Sequence, residues 1–524
     1  MLSNEQIKKL STNKPILLFV VFTALGLALF LRLFFASMIS HPGHGDYPFY
    51  YTVAENLVDG RGFTIDYIWH YLNHPDAITH VSYDYWMPLT SLIISIPMFA
   101  FGKSMFAALL LPIIVGLALA VLTYFVSKAY SDSRLTAFLS VGLVLFMPEL
   151  FIKSLQTDSA IFYAFLVSAS LLCIMKGVTH PKFFLLAGLV AGLAHLTRQD
   201  GLLLTPVIFA TILLSRQQSL RAKAFTFSCA LGIYLLVLSP LIVSNLREFG
   251  APFPPGPSKT MFITQYEDLY VYSKELSFQN YLKLGPSEIV LSKVRMAISH
   301  AWHLYERFGE FLSILMIVGL AGLAVSVEKR KQWMLYFPPL LFLVILLSFY
   351  TLVATFIGGG GGFLRSGMAL TPFLVVIAVD LMNRMIASKA VVCASILIVL
   401  TLFVYHDISD TKQLIDTTTR LGAQMTRLNK IVAEDANHQG VKDVVIMTRD
   451  PWEVYHSTRY KAIQIPNEGL EVIVTVAQKY GANYLLLPAP REALTPLYEG
   501  KTNDDRLLFV ASVPDSELKL FRFK

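Results

Sequence analysis

The sequence predicts a polytopic α-helical membrane protein with a small α/β domain at its C-terminal end, and three observations support this fold class. Of the 524 residues, 55% are hydrophobic and 15% are charged, and the mean hydropathy is +0.56. A soluble protein rarely has so apolar a composition. Apolar stretches recur along the chain as far as residue 405. Beyond that point short strand-like and helical segments alternate, which is typical of an α/β domain.

The apolar stretches are the first element of this prediction. The N-terminal stretch follows Lys8, Lys9 and Lys14, and because it lacks a cleavage site of small residues we expect it to remain as a helix. About eleven crossings are expected, and counts of nine or thirteen stay open because two of the stretches are short. A further segment, 87–101, is expected to be interfacial or re-entrant. The predicted spans are 15–39, 104–127, 135–152, 158–175, 183–197, 201–214, 223–244, 308–327, 333–357, 366–387 and 389–405.

Lysines and arginines between the spans indicate the orientation, because short cytoplasmic connections carry an excess of basic residues. The opposite turns contain one basic residue each, Lys153, Arg198 and Arg365. This pattern places the N-terminus in the cytoplasm and the C-terminal domain outside. It also accounts for the net charge of +7 without a nucleic-acid partner. The breaks assigned to the cytoplasm contain Lys128, Arg134, Lys176, Lys182, Arg216, Arg221, Lys223, Lys329, Arg330, Lys331, Arg384 and Lys389.

Three segments are predicted to lie outside the membrane on the same side: a loop at about 40–86, a loop at about 245–307 and the tail. We therefore expect a membrane domain at 1–405 and an extracytoplasmic α/β domain at 406–524. The tail has no glycine-rich phosphate loop, so nucleotide binding is not indicated. Its predicted elements are an amphipathic helix at 410–434, strands at 444–447, 462–465, 484–487 and 508–510, and a helix at 470–479.

Acidic residues at the outer membrane surface are the first candidates for chemistry, because an ionisable side chain is costly to place there. Asp46 follows the first span, in the stretch HPGHGDYPFYY that begins at residue 41, and Glu149 and Asp158 flank a later outer turn. Asp46 precedes Tyr47 and Pro48, so it could instead serve only as the N-cap of a helix. The residues that follow predict an amphipathic helix at the membrane interface.

Arginines on the outer side are candidates for anion binding, since a guanidinium can donate two parallel hydrogen bonds to one anion. Arg365 follows a run of five glycines, where the backbone can approach a ligand closely. Its side chain could equally extend to lipid headgroups. For Arg198 we favour a structural ion pair with Asp200.

Histidines and aromatic residues of the first loop could contact a substrate. His41 and His44 precede Asp46, and hydrogen bonding is favoured over metal binding because the Pro-Gly between them gives no regular ligand spacing. Tyr85 and Trp86 could stack on a sugar, although an interfacial aromatic belt is the slightly favoured alternative. We predict no metal and no other cofactor.

Five segments, taken in order, resemble the GT-C glycosyltransferases, in particular the relatives of protein O-mannosyltransferases and aminoarabinose transferases. The first segment has the acid, the tyrosines, the Ala-x-x-Leu helix and the glycines of the first outer loop of that family. The resemblance covers nearly the whole membrane part, and the tail is similar to the extracytoplasmic domain of prokaryotic members. The segments are Asp46–Gly62, Trp86–Leu89, Ser154–Asp158, Gly188–Gly201 and Phe363–Pro372.

The resemblance implies the GT-C fold and the transfer of a sugar, with inversion, from a polyprenyl-phosphate donor. The acceptor would be a lipid, a glycan or a protein at the outer face of a prokaryotic plasma membrane. Asp46 would be the general base that takes the acceptor's proton, and Asp158 would orient the acceptor or Asp46. Arg365 would bind the donor phosphate. The other predicted substrate-binding residues are Glu149, Tyr50, Tyr85, Trp86, Arg198 and His44.

The chain departs from this family at one position. Trp86-Met-Pro stands where aminoarabinose transferases often have Lys-Pro-Pro, so the usual phosphate-binding lysine is missing, and Lys259, Arg247 or Arg295 could replace it. The Trp-Trp-Asp signature of oligosaccharyltransferases is also absent.

Two other classes of function stay open at this point. A transporter or flippase of lipid-linked sugars would need paired charges near mid-membrane and internal repeats. The predicted spans carry few charges, and we detect no internal repeat. A non-catalytic envelope scaffold that acts through the tail would tolerate changes around Asp46.

Overall fold

A computed structural model describes residues 14–215, 219–307, 333–357, 362–488, 492–501 and 504–524. The chain divides into two compact units. The membrane unit consists of residues 1–38, 109–252 and 290–412, and the loop–tail unit consists of residues 39–108, 253–289 and 413–524. Most of the two outer loops therefore folds with the tail, whereas the sequence assigned these loops to the membrane domain.

Seven helices within the described ranges are long and apolar enough to cross a membrane, and four shorter helices are also apolar. Because 20 helical residues extend about 30 Å, helices of this length match the bilayer core. They confirm the predicted multi-pass membrane protein. The predicted span at 308–327 lies outside the described residues.

The helices of the membrane unit follow the predicted spans with two changes. The predicted span 333–357 is interrupted at Ala354, which leaves the helical conformation between Val353 and Thr355. The stretch 135–152 forms two helices, because Phe146 leaves the helical conformation and Pro148 starts a new helix. The helix Pro286–Arg307 begins in the other unit and continues into this one. The remaining α-helices are Lys14–Ala36, Met105–Tyr130, Arg134–Leu145, Pro148–Lys153, Ser159–Gly177, Lys182–Thr197, Leu204–Leu214, Leu220–Phe249, Trp333–Ser348, Thr355–Ile357, Phe363–Gly367 and Thr371–Met385.

Glycines allow two helices of this unit to pack closely. A Cβ atom at Gly188 would lie 2.3 Å from the carbonyl oxygen of Ala230, and one at Gly192 would lie 2.8 Å from Cβ of Val237. Small residues at such positions let helix backbones approach each other in membranes. The glycines of the segment Gly188–Gly201 therefore serve helix packing.

The loop–tail unit is built on a six-stranded sheet of order β2-β5-β4-β6-β8-β7. Strands β2, β5, β4 and β6 are parallel, and β8 and β7 are antiparallel to their neighbours. Apolar side chains such as Ile68, Met447, Ile463 and Leu485 form its core. The strands are β1 (Thr64–Ile65), β2 (Tyr67–Ile68), β3 (His80–Val81), β4 (Val445–Thr448), β5 (Lys461–Gln464), β6 (Tyr484–Leu487), β7 (Leu507–Ser512) and β8 (Lys519–Phe523).

The helices of this unit include two that the later argument uses: the loop helix, Tyr47–Val58, and the tail helix, Pro451–Thr458. The other α-helices are Leu89–Phe101, Pro255–Lys259, Phe278–Leu282, Leu470–Tyr480 and Thr495–Tyr498. Leu89–Phe101 has 13 residues, about 20 Å, which is too short to cross the bilayer core. This length agrees with the interfacial or re-entrant segment that we expected there.

The predicted elements of the tail are all present, and the structure adds the tail helix and the strand β8, which the sequence did not predict. Three other features also differ from expectation. The strand β2 comes from the first outer loop and pairs with β5, with Tyr67 opposite Ala462. The tail's first helix is continuous with the last predicted span, in one helix of 51 residues, Lys389–Gln439. The loop helix is not amphipathic at a lipid surface, because every residue from Pro48 to Asn56 is buried.

Candidate active site

The loop that leads to Asp46 depends on glycine. Gly43 and Gly45 have φ values of +97° and +90°, a region that residues with a side chain rarely adopt. The chain therefore turns directly after the first span, and Asp46 lies at the N-cap position of the loop helix. Its side chain accepts no capping hydrogen bond there, and Pro48 at the second helical position has no N–H to donate. The capping role considered for Asp46 is therefore not the role of its side chain.

Tyr270 lies near Asp46 in the same unit. Burial, Tyr266 and the carboxylates of Asp46 and Asp450 raise the pKa of Tyr270 well above its usual value. Its hydroxyl group therefore stays protonated at physiological pH. A neutral hydroxyl beside Asp46 can donate a hydrogen bond without adding charge.

His44 forms an ion pair with the tail helix. Its Nδ1 is 2.8 Å from Oε2 of Glu453, and its Nε2 is 4.0 Å from Oδ1 of Asp450. The hydrogen bond to Glu453 raises the pKa of His44 to about 9. His44 therefore carries a positive charge at neutral pH and is engaged with protein carboxylates, two residues before Asp46.

His41 does not join His44 in a ligand set. Its Nε2 lies 3.0 Å from Oγ of Ser457, and burial lowers the pKa of His41 to about 4. Among the described residues, no group of three His, Cys, Asp or Glu side chains is arranged to hold a metal ion. Metal-independent chemistry stays a prediction.

Aromatic residues of the first loop pack on one another and on the tail. Trp86 stacks on Trp69 with ring centroids 4.2 Å apart and planes 8° apart, and Trp452 meets both rings edge-on. Tyr85 packs edge-on against Trp69, and the ring centroid of the buried Tyr50 lies 6.1 Å from that of Trp86. Trp86 therefore has one ring face covered by protein, which differs from the simple interfacial belt that was slightly favoured.

Asp84, between these aromatic residues in sequence, has a structural environment that the sequence did not reveal. Its Oδ2 is 3.5 Å from Nε2 of both His70 and His80; the side chains of Asp84 and His70 are almost inaccessible to solvent, and that of His80 is partly buried. Burial acts to raise the pKa of Asp84, but the two histidines hold it below its usual value. Asp84 is therefore a buried carboxylate that fixes the first loop.

The three candidates for replacing the missing lysine have different surroundings. Lys259 donates a hydrogen bond of 2.7 Å from Nζ to the carbonyl oxygen of Leu72, which ties the second outer loop to the first. Arg247 and Arg295 are exposed. None of them is placed by a carboxylate partner that the structure records.

The membrane unit gathers the three single basic residues of the outer turns around Asp158. Lys153 Nζ is 2.9 Å from Oδ2 of Asp158, and Nε of Arg365 is 3.8 Å from the same oxygen. Arg198 acts on this carboxylate electrostatically. Asp158 is buried and also caps the helix Ser159–Gly177 by accepting a hydrogen bond from the N–H of Ala160.

Arg198 links this group to a second buried carboxylate, as the sequence suggested. Its Nε is 3.3 Å from Oδ1 of Asp200. Tyr350 donates a hydrogen bond of 2.9 Å to Oδ2 of Asp200, and Ser366 donates another. We name Lys153, Asp158, Arg198, Asp200 and Arg365 the cation cluster, since it holds three cations and two carboxylates.

A buried arginine of the first span supports the turn before Asp158. Arg32 donates hydrogen bonds to Oγ of Ser154 at 2.9 Å and to the carbonyl oxygen of Leu145 at 2.8 Å, and its guanidinium lies 4.1 Å from the ring centre of Phe151. These groups flank Lys153 in the chain. Glu149 lies in the first turn of the same short helix, Pro148–Lys153.

Sequence reasoning missed several partners of the predicted residues. Lys153 was used only to indicate orientation, although its spacing of five residues from Asp158 across a turn permits an ion pair. Glu453 and Arg459 gave no signal, because their partners His44 and Glu55 are more than 400 residues away in sequence. Tyr350 was read only as part of a span.

Comparisons with known proteins identify the class. Residues 79–243 match the family described as dolichyl-phosphate-mannose-protein mannosyltransferase, which is less than half of the chain. Among curated proteins, none matches the sequence. Solved structures of two kinds share the fold, at sequence identities too low to show more than the fold.

The first of these is ArnT from Cupriavidus metallidurans bound to undecaprenyl phosphate, with a TM-score of 0.59, 12% identity, and coverage of 96% of this chain and 97% of that one. The second is the Archaeoglobus fulgidus oligosaccharyltransferase, with a TM-score of 0.56, 12% identity, and coverage of 88% of this chain and 69% of that one. Its complex with an inhibitory peptide and a dolichol-phosphate gives a TM-score of 0.55 at 13% identity, with coverage of 90% and 70%.

The fold is therefore that of the GT-C proteins. The family match and these neighbours confirm the predicted class, a membrane glycosyltransferase of the GT-C type. Within that class, the matched pattern at 79–243 is the one described for protein mannosyltransferases.

Proposed function

We propose that this protein transfers a sugar from a polyprenyl-phosphate donor to a lipid, glycan or protein acceptor, with inversion at the anomeric carbon. Two of the structural neighbours support the donor class, since one is bound to undecaprenyl phosphate and the other to a dolichol-phosphate. The peptide in the second neighbour supports a protein among the possible acceptors. Membrane lipids surround the enzyme, and no nucleic acid takes part.

The cation cluster is the observation that carries this proposal. Arg365 and Lys153 share one oxygen of Asp158, and Arg198 is held by Asp200, so the two carboxylates orient three cations. Oriented cations in a buried site stabilise the charge of a leaving phosphate without the cost of reorganisation. We assign donor-phosphate binding to Arg365, with Arg198 and Glu149 as further substrate-binding candidates.

Asp46 is the proposed general base. An acceptor hydroxyl must lose its proton as it attacks, and a carboxylate within hydrogen-bond reach can take that proton. The turn through Gly43 and Gly45 brings Asp46 to the start of the loop helix directly after the first span, and its side chain makes no capping bond there. Tyr50, Tyr85, Trp86 and His44 are proposed to contact the acceptor or the sugar.

We also propose an orientation, with the N-terminus in the cytoplasm and the α/β domain on the extracytoplasmic side of a prokaryotic plasma membrane. The distribution of basic residues supports it. The proposed membrane domain, 1–405, carries the two outer loops on the same side as the proposed extracytoplasmic domain, 406–524.

The test uses the full-length protein in liposomes with radiolabelled polyprenyl-phosphate sugars and an envelope extract. Asp46→Asn should abolish transfer because the amide cannot accept the proton, and the exposed Asp416→Asn is the matched control that should keep full activity. Wild-type activity should persist in excess chelator. Full activity of Asp46→Asn would remove Asp46 as the base, and movement of labelled lipid across the bilayer without transfer would favour a flippase instead.

A further inference from the structure

The tail helix contacts the first outer loop through side chains on several of its turns. Glu453 pairs with His44, and Tyr455 donates a hydrogen bond of 2.7 Å to Oδ2 of Asp66. The ring of His456 packs edge-on against both Tyr51 and His41. All of these residues belong to the loop–tail unit, so the contacts lie within one compact body.

A second ion pair fixes the loop helix itself. Arg459, the residue after the tail helix, donates two hydrogen bonds of 2.9 Å to the two carboxylate oxygens of Glu55. Such a bidentate pair constrains both position and orientation. Glu55 is nearly inaccessible, and its helix begins immediately after Asp46.

The two ion pairs stand on either side of Asp46. His44 is anchored before it, and Glu55 is anchored after it. Only Gly45 separates His44 from Asp46, and its φ is +90°. Glycine can adopt more backbone conformations than any other residue type. Without an anchor at His44, this backbone has freedom to rotate, and the carboxylate of Asp46 would move with it.

We infer that Glu453 and Arg459 of the tail are positioning residues for Asp46, which they act on through His44 and Glu55. The tail domain would then contribute to catalysis by positioning the base. The inference rests on the proposed role of Asp46 as the base. It assigns no contact between the tail residues and the substrate.

A positioning role predicts a particular kinetic effect. In Glu453→Gln, kcat should fall roughly ten- to a hundredfold, because displacement of a catalytic group by about 1 Å can cost that much. KM for the polyprenyl-phosphate donor should change little. His44→Gln should lower kcat at least as far, since it removes the same ion pair together with the proposed substrate contact of His44, and the double variant should be no worse than His44→Gln alone.

The pH profile separates positioning from a general loss of structure. The carboxylate of Glu453 holds the pKa of His44 at about 9, against an ordinary value near 6.5. His44 is fully charged below about pH 6.5 and loses its charge as the pH rises through 9, whereas at acid pH protonation of Glu453, whose pKa burial raises, limits the anchor instead. In Glu453→Gln the ion pair is absent at every pH, so kcat should be low throughout and should lack the alkaline decline that the wild type shows near pH 9.

Two other charged groups that face His44 also affect its pKa. Asp450 is 4.0 Å away and favours its charged form, whereas Arg449 opposes it. Asp450→Asn keeps the ion pair with Glu453 and removes only a smaller contribution to the pKa of His44, so its alkaline decline should persist and begin at a slightly lower pH than in the wild type.

The experiment combines these kinetics with hydrogen–deuterium exchange of the full-length protein in detergent micelles. Amides of 43–47 should exchange faster in Glu453→Gln than in the wild type. The matched control is Glu471→Gln, an exposed tail carboxylate paired with Arg506, which should change neither exchange in that segment nor kcat. If Glu453→Gln is poorly folded, Arg459→Lys, which keeps the charge but loses the bidentate geometry, replaces it.

The outcomes distinguish this inference from the proposed function. Faster exchange with lower kcat supports it, and normal exchange with normal kcat in both Glu453→Gln and Arg459→Lys overturns it. An active wild type in which the two variants raise only the donor KM also overturns it. If the wild type transfers no sugar, the proposed function fails, while the exchange data still decide whether Glu453 holds the loop.

Discussion

The two acids that the sequence grouped as a catalytic pair have different environments. Asp46 follows two glycines in a turn, whereas Asp158 is buried, paired with Lys153 and Arg365, and bound to a backbone N–H. The oxygens of Asp158 are occupied by its ion-pair partners and by this N–H, which agrees with the proposed roles, in which Asp158 orients the cations and Asp46 is the base.

The proposed binding of the donor phosphate by Arg365 can be tested by substitution. Arg365→Gln should raise the donor KM about ten- to a hundredfold, the equivalent of losing a charged hydrogen bond of roughly 1.5–3 kcal/mol. Asp158 keeps Lys153 as its ion-pair partner in this variant, so the fold should persist. Steady-state kinetics against donor concentration measure the effect.

The exposed Arg420→Gln, on the long helix Lys389–Gln439, is the control with the same change of charge. An unchanged donor KM in Arg365→Gln would indicate that another cation binds the phosphate. Lys153 would then be the next residue to replace.

Among the helices, close packing limits which residues are tolerated. The helices Lys182–Thr197 and Leu220–Phe249 meet at Gly188, where even a methyl group would overlap the carbonyl oxygen of Ala230. The segment that resembles a family motif thus has a packing reason for its first two glycines. A position nearby on the second helix, Gly232, has open space instead.

Gly188→Ala should destabilise the protein by about 1–3 kcal/mol, because an added methyl group in a filled interface forces the helices apart. Thermal unfolding in detergent should show a lower Tm. Gly232→Ala is the control, and it should leave Tm unchanged or slightly higher, since alanine favours the helix. Equal Tm values for the two variants would contradict the close approach at Gly188.

Across the whole chain, the two compact units do not follow the order of the sequence. The loop–tail unit takes its residues from three separate segments. The strand β2 shows why, because it comes from the first outer loop yet pairs with β5 of the tail. Pairing of segments so far apart in sequence requires that the first loop and the tail lie on the same side of the membrane.

Cysteine labelling tests this shared side. In a variant without Cys173, Cys229 and Cys393, a cysteine introduced by Lys430→Cys should react with an impermeant maleimide in intact cells, because the long helix exposes this position beyond the membrane. Lys182→Cys, at an exposed position assigned to the cytoplasm, should react only after permeabilisation. The reverse pattern would invert the proposed topology.

Much of the fold is predictable because its signals are local. Helices begin and end at positions set by the apolar runs, the basic residues between them and the turn residues. These signals predicted a helical segment at each described span from 15–39 to 389–405. The strand at Tyr484–Leu487 agrees with its prediction at both ends. Two predicted spans break: 135–152 leaves the helix at Phe146, before Pro148, and 333–357 leaves it at Ala354. The proline was a local signal of the first break that the hydropathy pattern outweighed.

The candidate site is less predictable, because its arrangement depends on pairings across long separations. The sequence supplied Asp46, Asp158, Arg198 and Arg365 as residues, and it supplied the short-range pair of Arg198 with Asp200. It did not predict that Glu453 pairs with His44 or that Arg365 pairs with Asp158. A partner hundreds of residues away has no effect on the local periodicity of the sequence. Hydropathy thus determined the membrane helices, whereas tertiary packing alone decided which charges meet, because an ion pair depends on distance in space and not on position in the chain.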